Sequence, residues 1–263
     1  MRSRSPLISI ALFLTLWTTN LYPNNQLAQT TEHVCSLTLG WGNWPPYQHS
    51  LNGDIPYGIQ IDLVRKVASE AGCTLKFKKQ TFSENISAVK DGTVDFIMDT
   101  SITKEREEFG YFSDPYRLEV LVLYLKPEFN QQCNSMTLPE LIKKTGARVG
   151  LNQGNIYGKS VTEAQSDEGL KQQFVYADNN DQLYQLFSSG KIDGFFEDPM
   201  VLSYTLKRMQ LRGKLKACKV TQKASTVSFM FSKKTVTKEL VSKFNEALAR
   251  IKLTKDYRAN WAW

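Results

Sequence analysis

Apolar and polar positions along this chain follow two alternating rhythms. Residues Cys35–Trp41 (C-S-L-T-L-G-W) alternate with a period of two and predict a strand. Residues 58–71 carry apolar side chains at 63, 64, 67, 68 and 71, the face of a helix that ends at Gly72. Cys73–Lys79 predicts the next strand, Phe82–Asp91 a helix closed by Gly92, and 94–98 another strand. About a hundred residues later the device recurs. Residues 181–189 predict a helix with Leu183, Leu186 and Phe187 on one face, Gly190 closes it, and 192–196 predict a strand. The two matching stretches are D-G-T-V-D-F-I-M-D at 91–99 and S-G-K-I-D-G-F-F-E at 189–197. Thr137-Leu-Pro-Glu140 is a capping-box pattern with an early proline. Residues 148–152 predict a strand, and Gly154-Asn155 the opening of a further helix. The pattern predicts an α/β protein of two similar lobes, each a mostly parallel sheet flanked by helices. Two long β-type segments, 117–126 and 225–232, are expected to cross between them as hinge strands. The expected bounds are 34–121 with 224–263 for lobe 1 and 122–223 for lobe 2. A final helix with Leu240, Val241, Phe244, Leu248 and Ile251 on one face is expected to pack back on lobe 1.

The N-terminus reads differently. Arg2 and Arg4 precede an almost continuously apolar run over 7–17, the layout of a secretory signal peptide, expected to span residues 1–28. Export agrees with four widely spaced cysteines and no C-x-x-C pair. Three pairings are possible. Cys35 and Cys73 each begin a predicted strand of one parallel pair, which favours Cys35–Cys73 and Cys133–Cys218 as disulfides. The net charge of +7 is spread along the chain with no basic stripe, which argues against nucleic-acid binding. His33 and His49 are the two histidines, too few for a multi-histidine metal site. Neither a G-x-x-x-x-G-K-[ST] loop nor a G-x-G-x-x-G fingerprint occurs, and no cofactor is expected.

Ligands of open α/β sheets bind beyond the carboxyl ends of the strands. Four segments meet that condition: 42–48, 99–106, 153–156 and 197–199. Arg106 can grip a carboxylate through paired N–H groups, with Ser101 beside it. Asp198 can accept from an ammonium group, and Trp44 can cover an apolar or cationic ligand group. Gly154 allows close approach of the backbone, and a helix starting there would favour an anion. Each has a plainer reading: Arg106 as a surface residue between Glu105 and Glu107, Asp198 as the N-cap before Pro199, and Trp44 as a core anchor.

The chain resembles the family-3 bacterial extracellular solute-binding proteins across roughly 34–263. W-P-P-Y-Q at 44–48 is similar to the family's Y-x-P-F-E, and G-I-Q-I-D-L at 58–63 to G-F-D-I-D-L. S-I-T-K-E-R at 101–106 with F-S-D-P-Y at 112–116 is similar to T-I-T-x-x-R followed by F-S-x-P-Y. R-V-G-L-N-Q-G-N at 148–155 and I-D-G-F-F-E-D at 192–198 resemble two further signatures. The resemblance implies the type II periplasmic binding fold and the amino-acid-binding component of an ABC importer. Such a protein is a periplasmic monomer that hands a small solute to a permease in the inner membrane, and is not an enzyme. By the same resemblance Arg106 holds the ligand carboxylate and Ser101 its carboxylate or ammonium group. Asp198 pairs with the ammonium, Trp44 packs on the ligand, and Asn155 and Ile156 stand where the family places threonines.

The departures shape the expectation. Ile59 replaces a frequent phenylalanine. Asp99 stands where a small residue is usual, facing the ammonium group or opposing the carboxylate. With Glu197 and Asp198 this sets three acids against one arginine and points towards a cationic ligand. Two alternatives share the fold: a periplasmic dehydratase using Asp99 or Glu197 as a general acid, and a sensor signalling to a membrane partner.

Overall fold

The computed structural model describes residues 35–51, 53, 55–130, 133–209, 211–218 and 224–261; the expected signal peptide lies outside the described residues. Eleven strands are found among the described residues: β1 Cys35–Trp41, β2 Cys73–Lys79, β3 Phe96–Thr100, β4 Gly110–Phe112, β5 Arg117–Val120, β6 Val122–Leu125, β7 Val149–Asn152, β8 Phe174–Ala177, β9 Gly194–Glu197, β10 Lys216–Cys218 and β11 Ala224–Ser232. They form two sheets. The first runs β2-β1-β3-β11-β4, with β5 also on β11, and the second runs β10-β6-β9-β7-β8. In each sheet the strands of the repeated device are parallel: β1 with β2 and β3, and β7 with β8 and β9. β11 and β6 enter antiparallel. Each sheet has its own apolar core. Leu39, Ile61, Phe96, Phe229, Phe231 and Phe244 are buried in the first, and Leu123, Leu141, Val149, Phe174 and Phe196 in the second.

The segment 117–126 is two strands rather than one. It changes sheet at Leu121: β5 pairs with β11, and β6 with β9 and β10. Apolar alternation continues through this point, so the sequence carries no mark of the change of partner. The strand expected over 94–98 begins at Phe96, because the amides of Thr93 and Val94 still bond to Ala88 at the end of the preceding helix. The helix expected from Gly154 begins instead at Lys159, with Gly158 (φ 84°) before it. Gly154, with φ 81°, makes a turn in which the Asn155 amide donates to Asn152, so no helix N-terminus lies at 154. The C-terminal helix Lys238–Lys252 buries Val241, Phe244, Leu248 and Ile251 against the helix Ile59–Glu70 and the first core.

The internal repeat extends to individual atoms. Helices Phe82–Asp91 and Asn180–Ser188 are each followed by a left-handed glycine, Gly92 (φ 78°) and Gly190 (φ 74°). Three residues beyond stands an aspartate, Asp95 or Asp193, just before the strand. Asp95 accepts from the Thr38 amide (2.7 Å) and donates its own amide to the Thr38 carbonyl (3.0 Å). Asp193 does the same with Arg148, at 3.0 and 2.8 Å. Asp193 also takes Lys126 Nζ (2.8 Å) and Arg148 Nε (3.0 Å). Although burial raises its pKa, the hydrogen bonds from Arg148 and Lys126 prevail and hold it down at about 2. This stability is present above the unfolded carboxyl pKa and is lost as pH falls from about 4 towards 2. Asp193→Asn should therefore lower the unfolding free energy by about 2 kcal/mol at pH 7. Urea titrations should show the difference from the parent protein shrinking at pH 3.

The sulfurs pair Cys35 with Cys73 and Cys133 with Cys218, with Cα atoms 4.4 and 5.6 Å apart. The first pair joins the opening residues of β1 and β2, which are register partners.

Candidate functional site

Between the two sheets lies a cavity of about 400 Å³ walled by both lobes. Its first-lobe wall includes Trp44, Phe82, Asp99, Ser101, Arg106 and Glu119, and its second-lobe wall Asn152, Asn155, Ile156, Tyr157 and Glu197. Seven residues singled out from sequence thus meet in one cavity: Trp44, Asp99, Ser101, Arg106, Asn155, Ile156 and Glu197. Two do not line it, Gly154 and Asp198.

Arg106 is buried, not a surface residue. It sits on the short helix Lys104–Phe109, whose N-cap Thr103 accepts from the Arg106 amide. Its Nη1 donates to the Ser101 carbonyl (2.9 Å) and its Nη2 crosses to the Gly154 carbonyl (2.7 Å). Two of its five N–H groups are thereby used among the described residues, leaving three for a ligand. Burial lowers its pKa, against the pull of Glu105 and Glu119. Gly154 acts through its backbone: a Cβ there would lie 3.3 Å from Ser83 Cα of the opposite lobe.

The loop carrying Trp44 is docked on the start of the helix Ile59–Glu70. The amides of Ile59 and Gln60 donate to the carbonyls of Pro46 and Tyr47, serving the helix end in place of a side-chain cap. Trp44 Nε1 donates across the cleft to Glu197 Oε1 (3.2 Å), and Tyr47 OH to Asp198 Oδ2 (3.1 Å). Ile59 packs against the first core and does not line the cavity.

Glu197 is buried rather than turned to solvent. One oxygen accepts from Trp44 Nε1 and the Asp198 amide, the other from Asn180 Nδ2 and Tyr184 OH (2.5 Å each). Burial pushes its carboxyl up to about 7, against the lowering effect of these hydrogen bonds. With Trp44 from the first lobe and Asn180, Tyr184 and the Asp198 amide from the second fixed on it, Glu197 is a bridge between lobes. Asp198 takes its plainer role. Its Oδ1 caps the helix Pro199–Arg208 through the amides of Met200 and Val201, and its Oδ2 takes Tyr47 OH.

Sequence reasoning missed the centre of the charge network. Arg117, at the start of β5, is fully buried and lies among three carboxylates. It reaches Asp99 Oδ1 (2.7 Å) and Glu119 Oε1 (3.2 Å) through Nη2, and Asp198 Oδ2 (3.8 Å) through Nη1. Its guanidinium carbon sits 4.7 Å from the Tyr47 ring centre and 5.2 Å from that of Trp44. Burial works against its charge, yet Asp99 and Glu119 hold its pKa well above the ordinary arginine value. Three acids against one arginine is therefore an incomplete count: the structure has four acids against two arginines. Glu119 and Arg117 add one charge of each sign, so the excess of two carboxylates over arginines stands. The signal was present in R-L-E-V: charges at 117 and 119, spaced by two in a strand, point to one face.

Asp99 has φ 55°, a left-handed conformation uncommon for a non-glycine residue. Tyr116 holds it there, accepting from the Asp99 amide (3.0 Å) and donating to Asp99 Oδ1 (2.9 Å). Strained backbone of this kind collects at binding sites.

Two α/β lobes, a chain that passes from the first to the second at Leu121 and is back in the first at β11, and a cavity at the strand ends walled by charged and aromatic side chains define a hinged solute-binding protein. The chain belongs to the bacterial extracellular solute-binding proteins, family 3, whose family model matches residues 37–260. It is 26% identical over 211 residues to the arginine-binding extracellular protein ArtP of Bacillus subtilis (strain 168), covering 78% of this chain and 76% of that protein. It is 26% identical to the histidine-binding periplasmic protein of Salmonella typhimurium, over 56% of this chain and 54% of the relative. Among solved structures, an ancestral arginine-binding protein bound to arginine superposes with a TM-score of 0.71 at 25% identity, covering 87% of this chain and 98% of that one.

Proposed function

We propose that this protein is an extracytoplasmic receptor that captures an amino acid in the interlobe cavity and presents it to an ABC permease in the inner membrane. The observation that carries this reading is a buried guanidinium, Arg106, walling the same cavity as the carboxylates of Asp99 and Glu119. That pairing suits a zwitterion. Arg106 and Ser101 take the ligand carboxylate, Trp44 and Phe82 cover the ligand, and Asn155 and Ile156 close the second-lobe side. The names of the arginine- and histidine-binding relatives support the amino-acid class. A periplasmic location and a non-enzymatic role follow from the same reading.

Thermal unfolding with a panel of amino acids tests it. A ligand at a hundredfold above its Kd adds about 2.7 kcal/mol of stability. A shift with at least one amino acid is expected, and Arg106→Ala should weaken that ligand by about thirtyfold or more, through loss of a charge-assisted pair. No shift from any amino acid, with a shift from a carboxylic metabolite and its turnover, would overturn the reading in favour of an enzyme.

A further inference from the structure

Asp198, the expected partner for a ligand ammonium group, offers the cavity nothing. One oxygen is fixed by two helix amides and the other by Tyr47 OH, with Arg117 behind it. The first lobe presents a different pair. Asp99 Oδ1 is taken by Tyr116 and Arg117, while its Oδ2 receives only the long contact from Gln48 Nε2 (3.4 Å) among the described residues. Glu119 Oε1 is held by Arg117, while Oε2 receives no hydrogen bond from a described residue, and its side chain, 13% exposed, lines the cavity. Arg117 thus holds one oxygen of each of two carboxylates that wall the cavity and leaves the other outside its grip.

Resting on the amino-acid reading above, we infer that Glu119, together with Asp99, is the anchor for the ligand's ammonium group, a role that has moved off Asp198. Glu119 is faced by Arg117 on its own strand, Asp99 at the end of β3, Asp198 at a helix start, Arg106 on the short helix and Tyr157 from the second lobe. Burial, aided by Asp99 and Asp198 and opposed by Arg117, pushes its carboxyl up to about 7. A ligand cation favours the ionised form. Binding therefore expels the proton, and affinity rises with pH across the range where Glu119 titrates.

Titration calorimetry on the purified protein at pH 7, in two buffers of different ionisation enthalpy, reads the proton directly. The probes are L-arginine and L-glutamine, whose own groups do not titrate there. The expected result is about half a proton released per ligand bound, with affinity about tenfold higher at pH 8 than at pH 6. Glu119→Gln should abolish both effects, whereas Asp198→Asn, which still caps its helix, should keep a proton release shifted to lower pH, because the Asp198 charge helps raise the Glu119 carboxyl. The parent measurement stands even where Glu119→Gln fails to fold. Amino-acid binding without proton release and with equal affinity at pH 6 and 8 would overturn the inference. Absence of binding by every amino acid would overturn the receptor reading itself, and the ammonium anchor with it.

Discussion

Arg117→Met is expected to lower the unfolding free energy by about 3–5 kcal/mol at pH 7.5, the magnitude for breaking a buried ion pair by removing one partner. Three carboxylates converge on this guanidinium, two of them within 3.2 Å. Methionine keeps the stem and its contact with Tyr47 and Trp44 but leaves Asp99, Glu119 and Asp198 facing one another without a cation. Buried carboxylates in that state take up protons, so their folded pKa values rise above the unfolded range of about 4. The loss is full above those raised values and is relieved as pH falls through them. Urea unfolding should therefore show a wide gap between variant and parent at pH 7.5 and a narrower one at pH 5. A constant gap would mean that Arg117 acts through packing alone.

Gly58→Ala is expected to cost about 3 kcal/mol and to weaken ligand binding at the same time. Residue 58 has φ 127°, and a Cβ would fall 2.6 Å from the Pro46 carbonyl oxygen and closer still to that of Tyr47. These are the carbonyls that receive the first amides of the helix Ile59–Glu70. The methyl group must displace the loop, which loses two helix-end hydrogen bonds and moves Trp44 and Tyr47 away from Glu197 and Asp198. Thermal unfolding measures the first effect. Tryptophan fluorescence during ligand titration measures the second, and unchanged affinity in a destabilised variant would separate the loop from the site.

The elements that repeat were legible because each needs only local chemistry: an apolar face, a capping threonine or a glycine at a helix end. Thr137 and Gly92 behave as their types dictate. The cavity was half legible. Arg106 and Trp44 sit at strand ends where any ligand would, and their types are suited to it. Arg117 was only half announced: its spacing to Glu119 marks one strand face, but Asp99 and Asp198 come from distant segments, and no local spacing marks a contact across two lobes. Asp198 was ambiguous for the complementary reason: an aspartate before a proline suits a helix end and a ligand equally well in sequence, and in the structure it caps the helix and accepts from Tyr47.

Asp95 and Asp193 fasten the amino ends of β3 and β9, whereas Asp99 and Glu197 stand at the carboxyl ends of the same strands. Each strand therefore divides its labour along four residues, with the fastening at one end and the chemistry at the other. Substitutions at the far end can accumulate while the near end keeps the strand in register. A lineage built on this plan can exchange one solute for another by changing a few strand-end side chains, and the pair of twin aspartates lets either lobe take that step without the other.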